Sequence, residues 1–205
     1  MKKISYGFCS GHIDEKIAEF AKDSVLKEKR DRWHEALSKD IYVEEALNAG
    51  VKIIQFRNKI QTDNEIEQTA INLQKLCTNY DALFVMNDRV QLTGKLKLDA
   101  VHIGIEDISL IDARKIVGTN CIIGVSCYGN IELAKNAALQ GADYVAFGAC
   151  FSSTTKPQNK TIDKNVISIA KSILDIPVCV IGGIAAHNIE ELKKQIINPK
   201  NGNNG

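Results

Sequence analysis

The apolar run 51–56 ends with Gln55 and is followed by Arg57 and Lys59. Alternation on an extended segment would put these three side chains on one face. A guanidinium forks onto phosphate oxygens, and an ammonium adds a point charge beside it. The same triplet also fits an ordinary solvated strand end. The next apolar run, 82–86, leads into Asn87-Asp88-Arg89. The run after that, 100–103, contains His102 and leads into Gly104, Glu106 and Asp107. Mg²⁺ takes hard oxygens from one or two carboxylates and completes its shell with phosphate and water, which makes Asp88 and Asp107 candidate ligands. The competing reading is that each merely caps the helix that follows it. His102, inside an apolar run, reads first as a hydrogen-bonded core residue, and its place at a strand end keeps a functional role open.

Further along, Ser126 follows the run 121–125. No His or Asp pattern nearby would activate it as a nucleophile, so a hydrogen bond to substrate is the expected role. Four consecutive hydroxyls, Ser152-Ser153-Thr154-Thr155, then precede Lys156-Pro157. They form either a donor-rich loop for phosphate oxygens or a simple polar turn. Gly182-Gly183-Ile184 follows the run 177–181. Bare backbone amides beside a helix start can bind an anion, while a tight turn alone would also call for a Gly-Gly pair.

These residues need strands to display them, and the pattern supplies strands. Runs 51–56, 82–86, 100–103, 121–125, 143–148 and 177–181 are short and apolar, with Ile4–Cys9 as a candidate first strand. Between or beside them, 42–48, 63–79, 130–140, 163–174 and 188–197 carry apolar residues at helical spacing, as with Ile66, Ala70, Leu73 and Leu76. Buried strands alternating with amphipathic helices imply βαβ units and a parallel sheet. No GxGxxG opens a helix, and polar residues gather past the strand ends, so the expected fold is a TIM-type (β/α) barrel. At most seven strands are counted, and the expected eighth is missing. Residues 12–40 form an atypical, charged segment of helical character. The expected organisation is one barrel domain over 1–197 and a polar tail, expected to be disordered, over 198–205.

Bulk composition narrows the classes of function. The chain has 205 residues, 44% hydrophobic and 25% charged, with a net charge of +1. That balance argues against a nucleic-acid partner, which selects a basic excess. No apolar run reaches the roughly 20 residues of a membrane helix, and the N-terminus lacks the apolar stretch of a signal peptide. Six cysteines without CxxC spacing read as buried reduced thiols of a cytoplasmic protein. The partners expected are small phosphorylated molecules, and homo-oligomer formation is left open.

Taken together, the motifs resemble those of the thiamine-phosphate synthase family from about residue 42 to 192. The resemblance rests on Gln55-Phe56-Arg57-Asn58-Lys59, Met86-Asn87-Asp88-Arg89, Val101-His102-Ile103-Gly104-Ile105-Glu106-Asp107, Gly124-Val125-Ser126, Gly141-Ala142-Asp143, Thr154-Thr155-Lys156-Pro157 and Ile181-Gly182-Gly183. It implies a transferase that joins hydroxymethylpyrimidine diphosphate to hydroxyethylthiazole phosphate and releases pyrophosphate, with Mg²⁺ as cofactor. On that resemblance, Arg57, Lys59, Asn87 and Lys156 hold the diphosphate, and Asp88 and Asp107 hold the metal. Gln55, His102 and Gly104 line the pyrimidine pocket. Ser126 bonds near the reacting groups, and Ser153, Thr155 and Gly183 face the thiazole phosphate. Arg57, Ser126 and Lys156 are the catalytic candidates. The chain departs from the family pattern at Ile105, where a Gln is usual, and at Ser152-Ser153, where Pro-Thr is usual. The alternatives are a thiazole tautomerase-like relative and a truncated, non-catalytic phosphate-binding barrel. Tautomerase relatives tend to lack the second carboxylate and to carry His where this chain has Tyr128.

Overall fold

The apolar runs Ile53–Phe56, Leu83–Asn87 and Ala100–Ile103 pair because most of their residues are buried, which forces their backbone groups onto one another rather than onto water. The computed structural model describes residues 4–6, 8–10, 41–152, 161–185, 187–190 and 192. The charged segment 12–40, the loop residues Ser153, Thr155 and Lys156, and the tail 198–205 lie outside them. The chain divides into two compact units, residues 7–124 and residues 1–6 with 125–205.

In the unit of residues 7–124, the elements in chain order are β2 (Phe8–Ser10), α1 (Ile41–Asn48), β3 (Ile53–Phe56), α2 (Asp63–Asn79), β4 (Leu83–Asn87), α3 (Val90–Leu96), β5 (Ala100–Ile103) and α4 (Leu110–Val117). Strands β2, β3, β4 and β5 pair in sequence and in parallel, with Cys9 opposite Gln55, Gln55 opposite Val85 and Asn87 opposite His102. This puts Gln55, Asn87 and His102 at the C-terminal ends of neighbouring strands. Helix α2 buries Ile66, Ala70, Leu73 and Cys77, one stripe at helical spacing, against Ile54, Phe84 and Met86. Thr62 starts it: its backbone N–H and hydroxyl both donate to Glu65 Oε2, each at 2.7 Å. Helix α3 carries a glycine in mid-helix for a packing reason. A Cβ on Gly94 would lie 2.9 Å from the Ile116 carbonyl oxygen, so only glycine lets α3 and α4 approach this closely.

In the other unit lie β1 (Ile4–Tyr6), the C-terminal part of β6 (Ile122–Tyr128), α5 (Ile131–Leu139), β7 (Tyr144–Phe147), α6 (Asn165–Ile173) and β8 (Val178–Val180). β7 pairs in parallel with β8, Ala146 opposite Cys179, and β8 pairs in parallel with β1, Ser5 opposite Cys179. Val145, Phe147, Ile167, Ala170 and Val180 form its buried interior.

Two expectations change here. The candidate first strand Ile4–Cys9 is two strands, β1 and β2, each with its own partner. The count of seven strands left the eighth missing; with Ile4–Cys9 divided in two, β1 lies directly against β8. Backbone groups buried between helices cannot stay unpaired cheaply, and direct pairing satisfies them.

Candidate active site

Past β3 the chain stops being extended, so alternation does not bring Lys59 to its place. Asn58 does. Its Oδ1 accepts the backbone N–H groups of Ile60 (3.0 Å) and Gln61 (2.9 Å), and its Nδ2 donates to Gln61 Oε1 at 2.7 Å. This is a side-chain-built turn of the kind Asn favours. From it, Lys59 Nζ reaches Asp88 Oδ2 at 2.9 Å. Gln55 is buried, Arg57 half-buried, and Lys59 largely exposed.

Asp88 follows Asn87 at the end of β4 with φ +64, a left-handed conformation that Asp tolerates better than most residues. Its N–H donates to the His102 carbonyl at 2.9 Å, extending the β4–β5 ladder by one bond. Burial pushes the His102 imidazole down to about 4, against the upward pull of the Asp88 charge, so the ring is neutral near pH 7. One strand further, Gly104 N–H donates to Asp107 Oδ2 at 2.6 Å. Burial is the main force raising the Asp107 carboxyl; its bond from Gly104 opposes this, while the charge and hydrogen bond of Asp88 add to it. Lys59 offsets part of the rise.

The capping alternative for the two aspartates does not hold. The residue before α3 is Arg89, and α4 is capped by Ser109, whose Oγ accepts the Asp112 N–H at 3.1 Å. Asp88 and Asp107 instead face each other across neighbouring strand ends. Two neighbouring carboxylates, of which Asp88 raises the proton affinity of Asp107, with hard oxygens and a short hydrogen bond orienting Asp107, fit a divalent cation, whose charge would relieve their repulsion. The described residues hold no cluster of three or more His, Cys, Asp or Glu side chains that could bind a metal. Two protein carboxylates leave most of the shell to water and substrate, as Mg²⁺ prefers. A cavity of about 250 Å³ opens here, lined by Asp63, Asp88, Arg89, Gln91 and Asp107 among others. Ile105, at the departure from the family pattern, is 65% exposed.

Sequence reasoning passed over Arg89. Its Nη1 pairs with Asp63 Oδ1 at 2.7 Å, and its Nη2 donates to the Asn58 and Gln61 carbonyls, both at 2.8 Å. An Arg directly after a candidate metal ligand was the available signal, but its target is set by a turn no periodicity reveals.

In the other unit, Ser126 lies half-buried on β6. Gly183 has φ +65, and a Cβ there would sit 2.5 Å from the Phe151 carbonyl oxygen. Asn188, also missed, holds this glycine turn: its Nδ2 donates to the Gly183 carbonyl at 2.9 Å, and its Oδ1 accepts the Ala185 N–H at 2.8 Å.

Parallel strands alternating with helices, with polar residues gathered past the strand ends, are the build of the (β/α)-barrel class of enzymes. A thiamine phosphate pyrophosphorylase from Pyrococcus furiosus superposes with a TM-score of 0.70 and 29% identity, covering 93% of this chain and 80% of that one. An N-acetylmannosamine-6-phosphate 2-epimerase from Clostridium perfringens, at a TM-score of 0.52 and 12% identity over 73% of this chain and 71% of that one, shares the fold alone. Thiamine-phosphate synthase of Wolinella succinogenes is 44% identical over 161 residues, 78% of this chain and 73% of that protein. The Marinobacter nauticus synthase is 39% identical over 152 residues, 74% of this chain and 68% of that protein. The model of the thiamine monophosphate synthase family matches residues 29–198. The chain belongs to that family, and its relatives are transferases. No described helix is long and apolar enough to cross a membrane.

Proposed function

We propose that the chain couples hydroxymethylpyrimidine diphosphate to hydroxyethylthiazole phosphate, releasing pyrophosphate, in a Mg²⁺-dependent and cytoplasmic reaction. The observation that carries this reading is the meeting of Lys59, Asp88 and Asp107 past neighbouring strand ends. A cation and a pair of hard carboxylates in one place suit a diphosphate that arrives with its metal.

In this reading Asp88 and Asp107 hold Mg²⁺, which supplies charge stabilisation on the leaving pyrophosphate. Lys59, Arg57, Asn87 and Lys156 orient the diphosphate and neutralise its oxygens. Gln55, His102 and Gly104 line the pyrimidine pocket. A neutral His102 serves there better than a charged one, because the departing pyrophosphate leaves a cationic pyrimidine methylene behind it. Ser126 donates a hydrogen bond near the reacting groups, while Ser153, Thr155 and Gly183 receive the thiazole phosphate. The thiazole nitrogen attacks the methylene with its own lone pair, so positioning and electrostatics supply the catalysis and acid–base chemistry is minor. The paired carboxylates favour this over a tautomerase-like role.

The test mixes both substrates with the purified chain and Mg²⁺ and follows thiamine phosphate and pyrophosphate by chromatography. Equal formation of both, lost on chelation, is expected. Pyrophosphate binding without product would identify a non-catalytic phosphate-binding barrel instead.

A further inference from the structure

Lys59 and Asp88 come from different loops, yet one side chain holds both. Asp88 is the residue immediately before Arg89 and has a left-handed backbone. Arg89 starts α3: its carbonyl accepts the Thr93 N–H and hydroxyl, each at 2.9 Å, and its N–H donates to the Asn87 carbonyl at 2.8 Å. Its guanidinium crosses to the β3–α2 loop and donates to the carbonyls of Asn58 and Gln61, which bracket Lys59 in the chain. The other arm of the fork, Nη1, pairs with Asp63, in the first turn of α2. An acidic residue is electrostatically favoured there, so this end of the clamp is itself anchored. Asn58 tightens the same turn from inside. Only a planar, multiply donating group can serve two carbonyls and a carboxylate at once; a lysine has the charge but not the fork.

We infer that Arg89 is a positioning residue of the diphosphate site, fixing the Lys59 turn against the Asp88 strand end so that the ammonium and the carboxylate present one preformed receptor for a metal-bound diphosphate. The inference rests on the roles proposed for Lys59 and Asp88. The Nη1 and Nη2 groups of Arg89 are engaged by Asp63 and by the Asn58 and Gln61 carbonyls, so the role inferred for it acts through the loop. Without the clamp, Lys59 keeps its charge but samples many positions, and binding must pay the entropy of ordering it.

The experiment uses the full chain and titrates pyrophosphate in Mg²⁺ buffer by calorimetry, alongside KM for each substrate and Tm. Arg89→Ala is expected to weaken pyrophosphate binding about tenfold or more and to raise KM for the pyrimidine diphosphate likewise, in line with losing several charge-assisted bonds. KM for the thiazole phosphate is expected to stay within about twofold, since a preorganised contact is lost for one substrate alone. Arg89→Lys is expected to restore only part of the affinity, and it carries the comparison if the alanine variant does not fold. In a Lys59→Ala background, Arg89→Ala is expected to cost less than about threefold, because residues acting through one contact are not additive.

Three results would overturn the inference: an equal penalty in both backgrounds, a parallel rise of both KM values, or full rescue by lysine. If Lys59→Ala and Asp88→Asn both leave pyrophosphate affinity unchanged, the diphosphate site itself is misassigned and Arg89 falls with it. If those two weaken binding while the Arg89 variants do not, only the positioning role is lost.

Discussion

Asp88 does two jobs that can be separated by the side chain put in its place. Its carboxylate pairs with Lys59 and shares charge with Asp107, and its backbone sits at φ +64. Asp88→Ala removes the carboxylate and also puts a residue poorly suited to left-handed backbone at the strand end, at a cost of about 1–2 kcal/mol. Asp88→Asn removes only the charge, because Asn tolerates that conformation. Both variants are expected to lose turnover by about a hundredfold or more, the scale of deleting a group that stabilises developing charge. Only the alanine variant is expected to melt noticeably lower. Near wild-type turnover in Asp88→Asn would remove Asp88 from the metal site. The thiols make a second residue-scale case. Cys77, Cys121, Cys127, Cys150 and Cys179 are buried thiols, and burial pushes the Cys127 thiol up to about 12. The folded state therefore favours the neutral thiol. The stability this gives is complete below the ordinary pKa of 9.0 and is lost as pH rises from there toward 12. By pH 10 the loss for Cys127 is about 1.4 kcal/mol, and urea unfolding of Cys127→Ala should show an alkaline limb shallower by that amount. An unchanged limb would mean that the thiol is solvated in the native state.

At the scale of elements, what could be read from sequence and what could not divide along one line. Strands β3, β4, β5 and β7 and helix α2 have patterns that burial alone imposes, and they stand within a residue or two of where periodicity puts them. Helices α3 and α4 are short, seven and eight residues, and α3 carries Gly94 in its middle, so neither shows a full apolar stripe. The candidate site follows the same rule. Residues at strand ends, Gln55, Asn87, Asp88 and His102, were legible because the ladder places them. Lys59 was chosen by alternation but is delivered by the Asn58 turn, a contact between side chain and backbone that periodicity does not encode. Arg89 and Asn188 were missed for the same reason, since each acts by bonding to a loop carbonyl distant in sequence or in a turn. The Gly183 turn was legible as a turn, and its stringency comes only from the fold. With φ +65 and the Phe151 carbonyl oxygen 2.5 Å from any Cβ, Gly183→Ala meets both strain and a backbone clash. The strain alone is worth about 1–3 kcal/mol. Thermal melting should show the variant less stable than wild type by at least that much, and an unshifted Tm would mean that the turn relaxes freely.

For the molecule as a whole, the net charge of +1 supplies no broad field to gather phosphorylated substrates. In the proposed reaction, affinity for the diphosphate must then be local, and it must be shared with a cation, because Asp88 and Asp107 alone would repel it. The proposed function thus makes metal and diphosphate mutually dependent ligands. Pyrophosphate without Mg²⁺ meets two carboxylates and gains little, and Mg²⁺ without pyrophosphate meets only two protein ligands and keeps most of its water. A ligand pair that binds only the folded chain raises its stability by about 2.7 kcal/mol at a hundredfold excess over Kd. For a chain of this length each kcal/mol moves Tm by about 2–4 °C, so the two together should raise Tm by about 5–10 °C. Either alone should raise it by much less than half of that, and chelation should abolish the joint effect. The same shift should vanish in Asp88→Asn. Pyrophosphate raising Tm equally with and without Mg²⁺ would show an anion site built from Lys59 and Arg57 alone, with the aspartates serving only to orient the lysine.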